Sequence, residues 1–116
     1  MTLKLGMVTF DTRDPMAIAA WWAQATGGQI VEDNDGWFVI VAPGDAQPNL
    51  AFQKVEDPTP GKNRVHLDLG ADDPDAEVER LLAAGATKVD RHEMDGFAWT
   101  VLADPDGNQF CVSPTH

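Results

Sequence analysis

The sequence predicts an α+β protein made of two copies of one β-α-β-β-β module, for three reasons. An Asp-Pro pair followed by a glycine recurs, as Asp14, Pro15 and Gly27 and then as Asp73, Pro74 and Gly85. Each copy follows an apolar, strand-like run and precedes two or three more. A shift of 59 residues also places VHLDL, at 65–69, on GMVTF, at 6–10. We therefore expect modules at about 1–56 and 63–116 that form one domain, an open, curved eight-stranded sheet with a groove.

Composition restricts the function before any motif is considered. The chain has 116 residues, of which 43% are hydrophobic, and this suits one globular domain. A net charge of −11 argues against nucleic-acid binding and favours a cationic small molecule. One cysteine excludes a disulfide framework and predicts a cytoplasmic protein. No apolar run approaches the roughly 18 residues that span a bilayer, so no membrane partner is expected.

The first module is predicted to begin with a strand at 3–10 and a helix. Alternation along the strand places Met7 on the face that the helix leaves uncovered. Asp14 is expected to cap the helix, with Pro15 in its first turn, and the helix should run to about Thr26, before a glycine pair. A hairpin at 29–33 and 37–42 around the turn 34–36, and a strand at 49–55, complete the module.

The second module follows a connector with two prolines, at 56–62. Its helix is expected at 74–84, with a buried stripe of Val78, Leu81 and Leu82. Further strands are predicted near 87–93, 97–103 and 109–112, with a tight turn at 104–107.

Four segments carry a resemblance to a known family: DPMAIAAWW at 14–22, NRVHLDL at 63–69, LLAAG at 81–85 and DPDGNQFCV at 104–112. With them the chain resembles the vicinal oxygen chelate superfamily, which includes glyoxalase I, bleomycin-resistance proteins and extradiol dioxygenases. It is most similar to the small single-domain, glyoxalase-like members. The resemblance implies the two-module sheet and association as a twofold homodimer.

In the metalloenzymes of that superfamily, the resemblance implies a divalent metal held by side chains from the first and last strands of each module. The corresponding positions here are Met7, Gln53, His66 and Cys111. His66 matches, whereas Gln53 offers only a neutral oxygen and Met7 has no affinity for a hard cation. Cys111 is either a thiolate ligand for Zn²⁺ or a small packed hydrophobe. Without a carboxylate we expect no metal cofactor, although His66 with Gln53 or Cys111 stays an alternative.

Two further groups of side chains are candidates for ligand binding. Arg64, His66 and Asp68 alternate along one strand, so they form either a polar floor for a ligand or a solvated face with an Arg–Asp pair. Trp37 and Trp99, on the two third strands, form either an aromatic wall or ordinary sheet packing.

The function that these features favour is a metal-independent, small-molecule binding protein with an aromatic or cationic ligand in the groove. The alternative is a metal-dependent lyase or isomerase acting on a small oxygenated substrate, and no catalytic residue is assigned for either. The expected partners are this small molecule and a second copy of the chain. The predicted ligand-binding residues are Met7, Trp37, Gln53, Arg64, His66, Asp68, Trp99 and Cys111.

Overall fold

The computed structural model describes residues 5–45 and 47–115, and it divides the chain into two compact units, Met1–Thr59 and Pro60–His116. The division falls inside the predicted connector. Within the described residues, each unit has one α-helix and one four-stranded sheet in the order β-α-β-β-β, so the predicted fold class is confirmed. None of the helices in these ranges is long and apolar enough to cross a membrane.

The first unit places its first strand inside the sheet ladder by a parallel pairing with its last strand. The strand order is β1-β4-β3-β2, with β1 parallel to β4 and the other neighbours antiparallel. A 3₁₀ turn, Asn34–Gly36, separates β2 from β3. The elements are β1 (Met7–Thr12), α1 (Pro15–Thr26), β2 (Gln29–Glu32), β3 (Phe38–Ala42) and β4 (Asn49–Lys54). Leu3 and Lys4, at the start of the predicted first strand, lie outside the described residues.

The second unit repeats this topology with longer strands. Its order is β5-β8-β7-β6, and β5 is parallel to β8. The elements are β5 (Leu67–Ala71), α2 (Pro74–Ala83), β6 (Thr87–Met94), β7 (Phe97–Ala103) and β8 (Gln109–Pro114). The ladders of the described residues thus form two sheets of four, whereas the sequence suggested one continuous sheet of eight strands.

Both helices begin and end as their sequences predict. The carboxylates of Asp14 and Asp73 accept hydrogen bonds from the backbone N–H three residues further on, at 3.3 and 3.2 Å. Gly27 ends α1 in the left-handed conformation, with φ of 70°. A Cβ on Gly28 would collide with the backbone of Ala42, so the second glycine is required by close packing of helix end and strand.

The core of the first unit is built on aromatic side chains from α1, β1 and β4. The Phe10 ring stacks on Phe52 with 5.0 Å between centroids and lies 5.9 Å from the ring of Trp22. The buried residues of α1 are Pro15, Ile18, Ala19, Trp21 and Trp22. In the second unit, α2 buries only Val78 and Leu81 against its sheet, and Leu82 is half-buried.

Candidate functional site

Three predicted site residues of the second unit lie together at one end of the β5–β8 ladder. His66 immediately precedes β5, Asp68 is its second residue, and Asp68 is the ladder partner of Cys111 in β8. His66 Nδ1 is 3.7 Å from Cys111 Sγ and 3.8 Å from Asp68 Oδ1. Partnered residues of a parallel ladder share one face of the sheet, and alternation brings His66 to that face too. The strand pairing therefore creates this cluster.

The cluster is buried at its sulfur and open to solvent at its other groups. The side chains of His66 and Asp68 are 40% and 77% exposed, whereas Cys111 is 6% exposed. Burial raises the pKa of the Cys111 thiol, and the negative charge and hydrogen bonding of Asp68 raise this pKa further, while Lys62 acts in the opposite direction. The thiol is therefore protonated and a weak nucleophile near neutral pH.

The geometry of the imidazole argues against a nucleophilic triad. In such a triad the base takes the proton of the nucleophile at one ring nitrogen and is oriented by a carboxylate at the other. Here Cys111 and Asp68 both approach Nδ1 of His66. One nitrogen cannot accept a proton from the thiol while it donates one to the carboxylate, so the arrangement groups three donors without a proton relay.

Asn63 holds the start of this segment, and the sequence analysis gave it no role. Its side-chain oxygen accepts from the backbone N–H of Gln109 at 2.7 Å, and its amide N–H donates to the backbone carbonyl of the same residue at 3.1 Å. The amide also donates to the carbonyl of Val65. These bonds extend the β5–β8 pairing towards the N-terminus and position His66 beside Cys111. The signal in the sequence was a carboxamide three residues before the histidine.

The ladder registers correct one predicted equivalence between the two units. Asp68 pairs with Cys111, and a shift of 59 residues places Asp68 on Thr9, which pairs with Ala51. Ala51, and not Gln53, is therefore the counterpart of Cys111, with a shift of 60 rather than 58 residues. A slip of two residues keeps a side chain on the same face of a strand, so hydrophobic alternation could not reveal the error.

The first-unit candidates occupy separate local environments. Gln53 is exposed and donates from its amide to the Asp11 carboxylate at 3.3 Å, and Met7 is 39% exposed on β1. Trp37 lies one residue before β3, not within it, and is 62% exposed, with Lys54 Nζ 4.8 Å from its ring centroid. The approach of these residues to the second-unit cluster stays a prediction.

The two remaining candidates belong to the second unit. Trp99 is half-buried in β7, where its ring stacks on His92 at 5.3 Å. Arg64 is exposed before β5, and within the described ranges the ion-pair partner of Asp68 is His66, so the expected Arg–Asp pair is replaced by a His–Asp pair.

Comparisons with known proteins give a consistent result along the chain. The family model for a glyoxalase-like domain matches residues 7–113. A glyoxalase/bleomycin resistance protein/dioxygenase family enzyme from Burkholderia phytofirmans PsJN is 25% identical, with a TM-score of 0.82 over 98% of this chain and 100% of that chain. A member of the same superfamily from Sphaerobacter thermophilus DSM 20745 is 27% identical, with a TM-score of 0.77 over 99% of both chains.

A third solved structure shows the same fold at lower identity. This bleomycin resistance determinant encoded on the transposon Tn5 is 20% identical, with a TM-score of 0.68 over 98% of this chain and 99% of that chain. No curated protein matches the chain significantly.

Proposed function

Because the chain belongs to the family of glyoxalase-like domains of the glyoxalase/bleomycin-resistance superfamily, we propose that it is a small-molecule binding protein. Its ligand lies over the strand face that carries His66 and Asp68. The observation that carries the proposal is the grouping of an imidazole and a carboxylate, both open to solvent, above a buried thiol. A few polar groups on an otherwise packed sheet are typical of sites that orient a small molecule.

The charge of this face favours a cationic or aromatic ligand. Asp68 is well exposed and offers a carboxylate to a positively charged group, and the net charge of −11 attracts cations to the whole protein. His66 supplies a hydrogen bond whose direction depends on its protonation, while Trp99 adds an aromatic surface in the same unit. Recognition by these groups does not require a metal ion.

A thermal-shift screen in buffer containing EDTA tests this proposal. Aromatic amines and quaternary ammonium compounds are compared with neutral analogues, and a ligand at about 100 times its Kd should stabilise the protein by about 2.7 kcal/mol. Asp68→Asn should abolish the shift. Asp90→Asn is the matched control, since Asp90 also pairs with a histidine on an exposed strand and should leave the shift unchanged. Equal shifts in both variants would contradict the proposed site.

A metal-dependent lyase or isomerase is the second candidate function. The four positions that the resemblance assigns to a metal do not fit a divalent cation, because they offer a thioether, an amide that binds Asp11, an imidazole and a thiol. One observation favours this candidate nevertheless. Asp68 places beside His66 and Cys111 the carboxylate that those four positions lack. The small oxygenated substrate of such an enzyme would be found by assaying turnover in protein with and without added metal.

Homodimerisation in the cytoplasm is part of the same proposal. In the second unit, β6 is an edge strand whose residues are all exposed, including Val89 and Met94. Such edges tend to pair or be covered, and a second copy of the chain would cover this one. Sedimentation at micromolar concentration should give the mass of a dimer, and a monomer would remove this part of the proposal.

A further inference from the structure

We propose that His66, Asp68 and Cys111 form a binding site for one thiophilic divalent cation, with Zn²⁺ as the preferred ion. These residues supply one nitrogen, one oxygen and one sulfur, which are the three donor types that zinc accepts in proteins. All three come from the second unit, so the site differs from the four positions in two modules that the family resemblance implies. The carboxylate comes from the strand that follows the histidine.

The distances between the donors are close to those of a zinc site. Potential ligand atoms of the three residues lie within 4.8 Å of one another, and His66 Nδ1 is 3.7 Å from Sγ and 3.8 Å from Oδ1. Zinc bonds of about 2.0–2.3 Å at tetrahedral angles separate neighbouring donors by roughly 3.3–3.6 Å. Small side-chain rotations therefore suffice to bring the donors to coordination distance, and the backbone ladder can stay unchanged.

The surroundings of the cluster favour a cation with affinity for sulfur. Hard cations such as Mg²⁺ prefer sites made only of oxygen, whereas a thiolate and an imidazole select Zn²⁺. On binding, the thiol of Cys111 loses its proton to solvent and a sulfur–metal bond forms. Three protein donors leave one tetrahedral position, and solvent reaches it because His66 and Asp68 are exposed.

The sequence contains an internal comparison for this site. In β6, His92 Nε2 lies 3.3 Å from Asp90 Oδ2, and the two side chains are 47% and 59% exposed. This is a second His–Asp pair of similar exposure, and it lacks a thiol because Cys111 is the only cysteine of the chain. If exposed His–Asp pairs alone captured metal, both pairs would do so equally.

Titration of the EDTA-treated, dialysed full-length protein with Zn²⁺ and Co²⁺ tests the proposal. Calorimetry should give one Zn²⁺ per chain, and Co²⁺ should produce the near-ultraviolet charge-transfer absorption of a thiolate ligand. Asp68→Asn should weaken Zn²⁺ binding at least roughly tenfold, which corresponds to the loss of one anionic donor. Cys111→Ala should also remove the charge-transfer band, and His92→Gln should change neither measurement.

The folding of each variant is checked by urea unfolding in EDTA, so that a lost site is distinguished from a lost structure. Zinc binding without the thiolate band, or equal weakening by His92→Gln and His66→Gln, would overturn the proposal and indicate adsorption to exposed acidic groups. Absence of stoichiometric binding would overturn it as well. The small-molecule proposal is independent of this result, because its screen is performed with metal chelated.

Discussion

Strands β1 and β5 hold the same place in their two sheets, but they display different chemistry on the face away from the helix. In both units this strand runs parallel to the last strand of the module, and the ladder partners align after shifts of 59 and 60 residues. The equivalent positions are Met7, Thr9 and Ala51 in the first unit and His66, Asp68 and Cys111 in the second. One backbone arrangement thus presents a nearly inert surface in one copy and three metal-binding groups in the other.

The helices differ in the opposite direction. Helix α1 buries both of its tryptophans, with Trp22 only 1% exposed, whereas α2 buries two aliphatic side chains along a narrower stripe. The first unit therefore has the more extensive aromatic packing, and the second has the clustered polar groups. This difference indicates that the repeat has divided packing and chemistry between its copies, because a residue selected for a site is not free to be chosen for core volume.

The largest expected effect is on the packing side of this comparison. Trp22→Ala should lower the free energy of unfolding by about 3–5 kcal/mol, because it removes a large buried ring and leaves a cavity. Leu81→Ala, the corresponding truncation in α2, should cost about 2–3 kcal/mol, since a smaller side chain is lost. Urea unfolding followed by fluorescence and circular dichroism measures both.

Met16→Ala is the control for these truncations, since Met16 lies on α1 but is 42% exposed. It should change the free energy of unfolding by no more than about 0.5 kcal/mol. A larger loss from Leu81→Ala than from Trp22→Ala would contradict the idea that the first unit depends more strongly on its helix packing.

The helix caps should behave alike in the two units. Asp14→Ala and Asp73→Ala should each cost about 1 kcal/mol, because each removes one hydrogen bond to the first turn at nearly the same distance. Asp14→Asn and Asp73→Asn are the matched controls and should cost much less, as asparagine is an equally good cap. Unfolding curves in urea check this, and a difference above about 1 kcal/mol between the two alanine variants would show that the modules are not equivalent here.

The sequence predicted the modules well because their boundaries depend on local signals. The helix at Pro15–Thr26 and the strand at Phe97–Ala103 agree with the predicted limits, since Asp caps, glycine ends and alternation act over a few residues. The register of the last strands was wrong at Gln53, because it depends on pairing between strands far apart in sequence.

The candidate site was predicted in part for the same reason. His66, Asp68 and Cys111 were all among the predicted residues, but the sequence could not show that Asp68 and Cys111 are ladder partners. That contact adds a carboxylate to the cluster, and it determines what the site can bind. The role of Asn63 was missed because a side-chain clamp on a distant backbone leaves no periodic pattern.

The smallest expected effect concerns the reactivity of Cys111 in metal-free protein. Burial first, and Asp68 second, raise the pKa of this thiol, so only a small fraction is thiolate near neutral pH, and alkylation by iodoacetamide should be slow. Asp68→Asn removes a negative charge, which lowers the pKa and increases the thiolate fraction at any pH below it. The rate, followed by mass spectrometry in EDTA, should rise by less than roughly tenfold, the change that one full pKa unit would give.

Asp90→Asn serves as the control for this rate, because it removes an equal charge that is not among the causes of the raised pKa. A rate that rises equally in both variants would attribute the effect to net charge alone, and an unchanged rate in Asp68→Asn would mean that burial governs the thiol by itself. Since Cys111 is the only cysteine, the modified mass reports this one position. A selective rise with Asp68→Asn would show that the carboxylate acts directly on the sulfur, which the inert Thr9 and Ala51 pair of the first unit cannot reproduce.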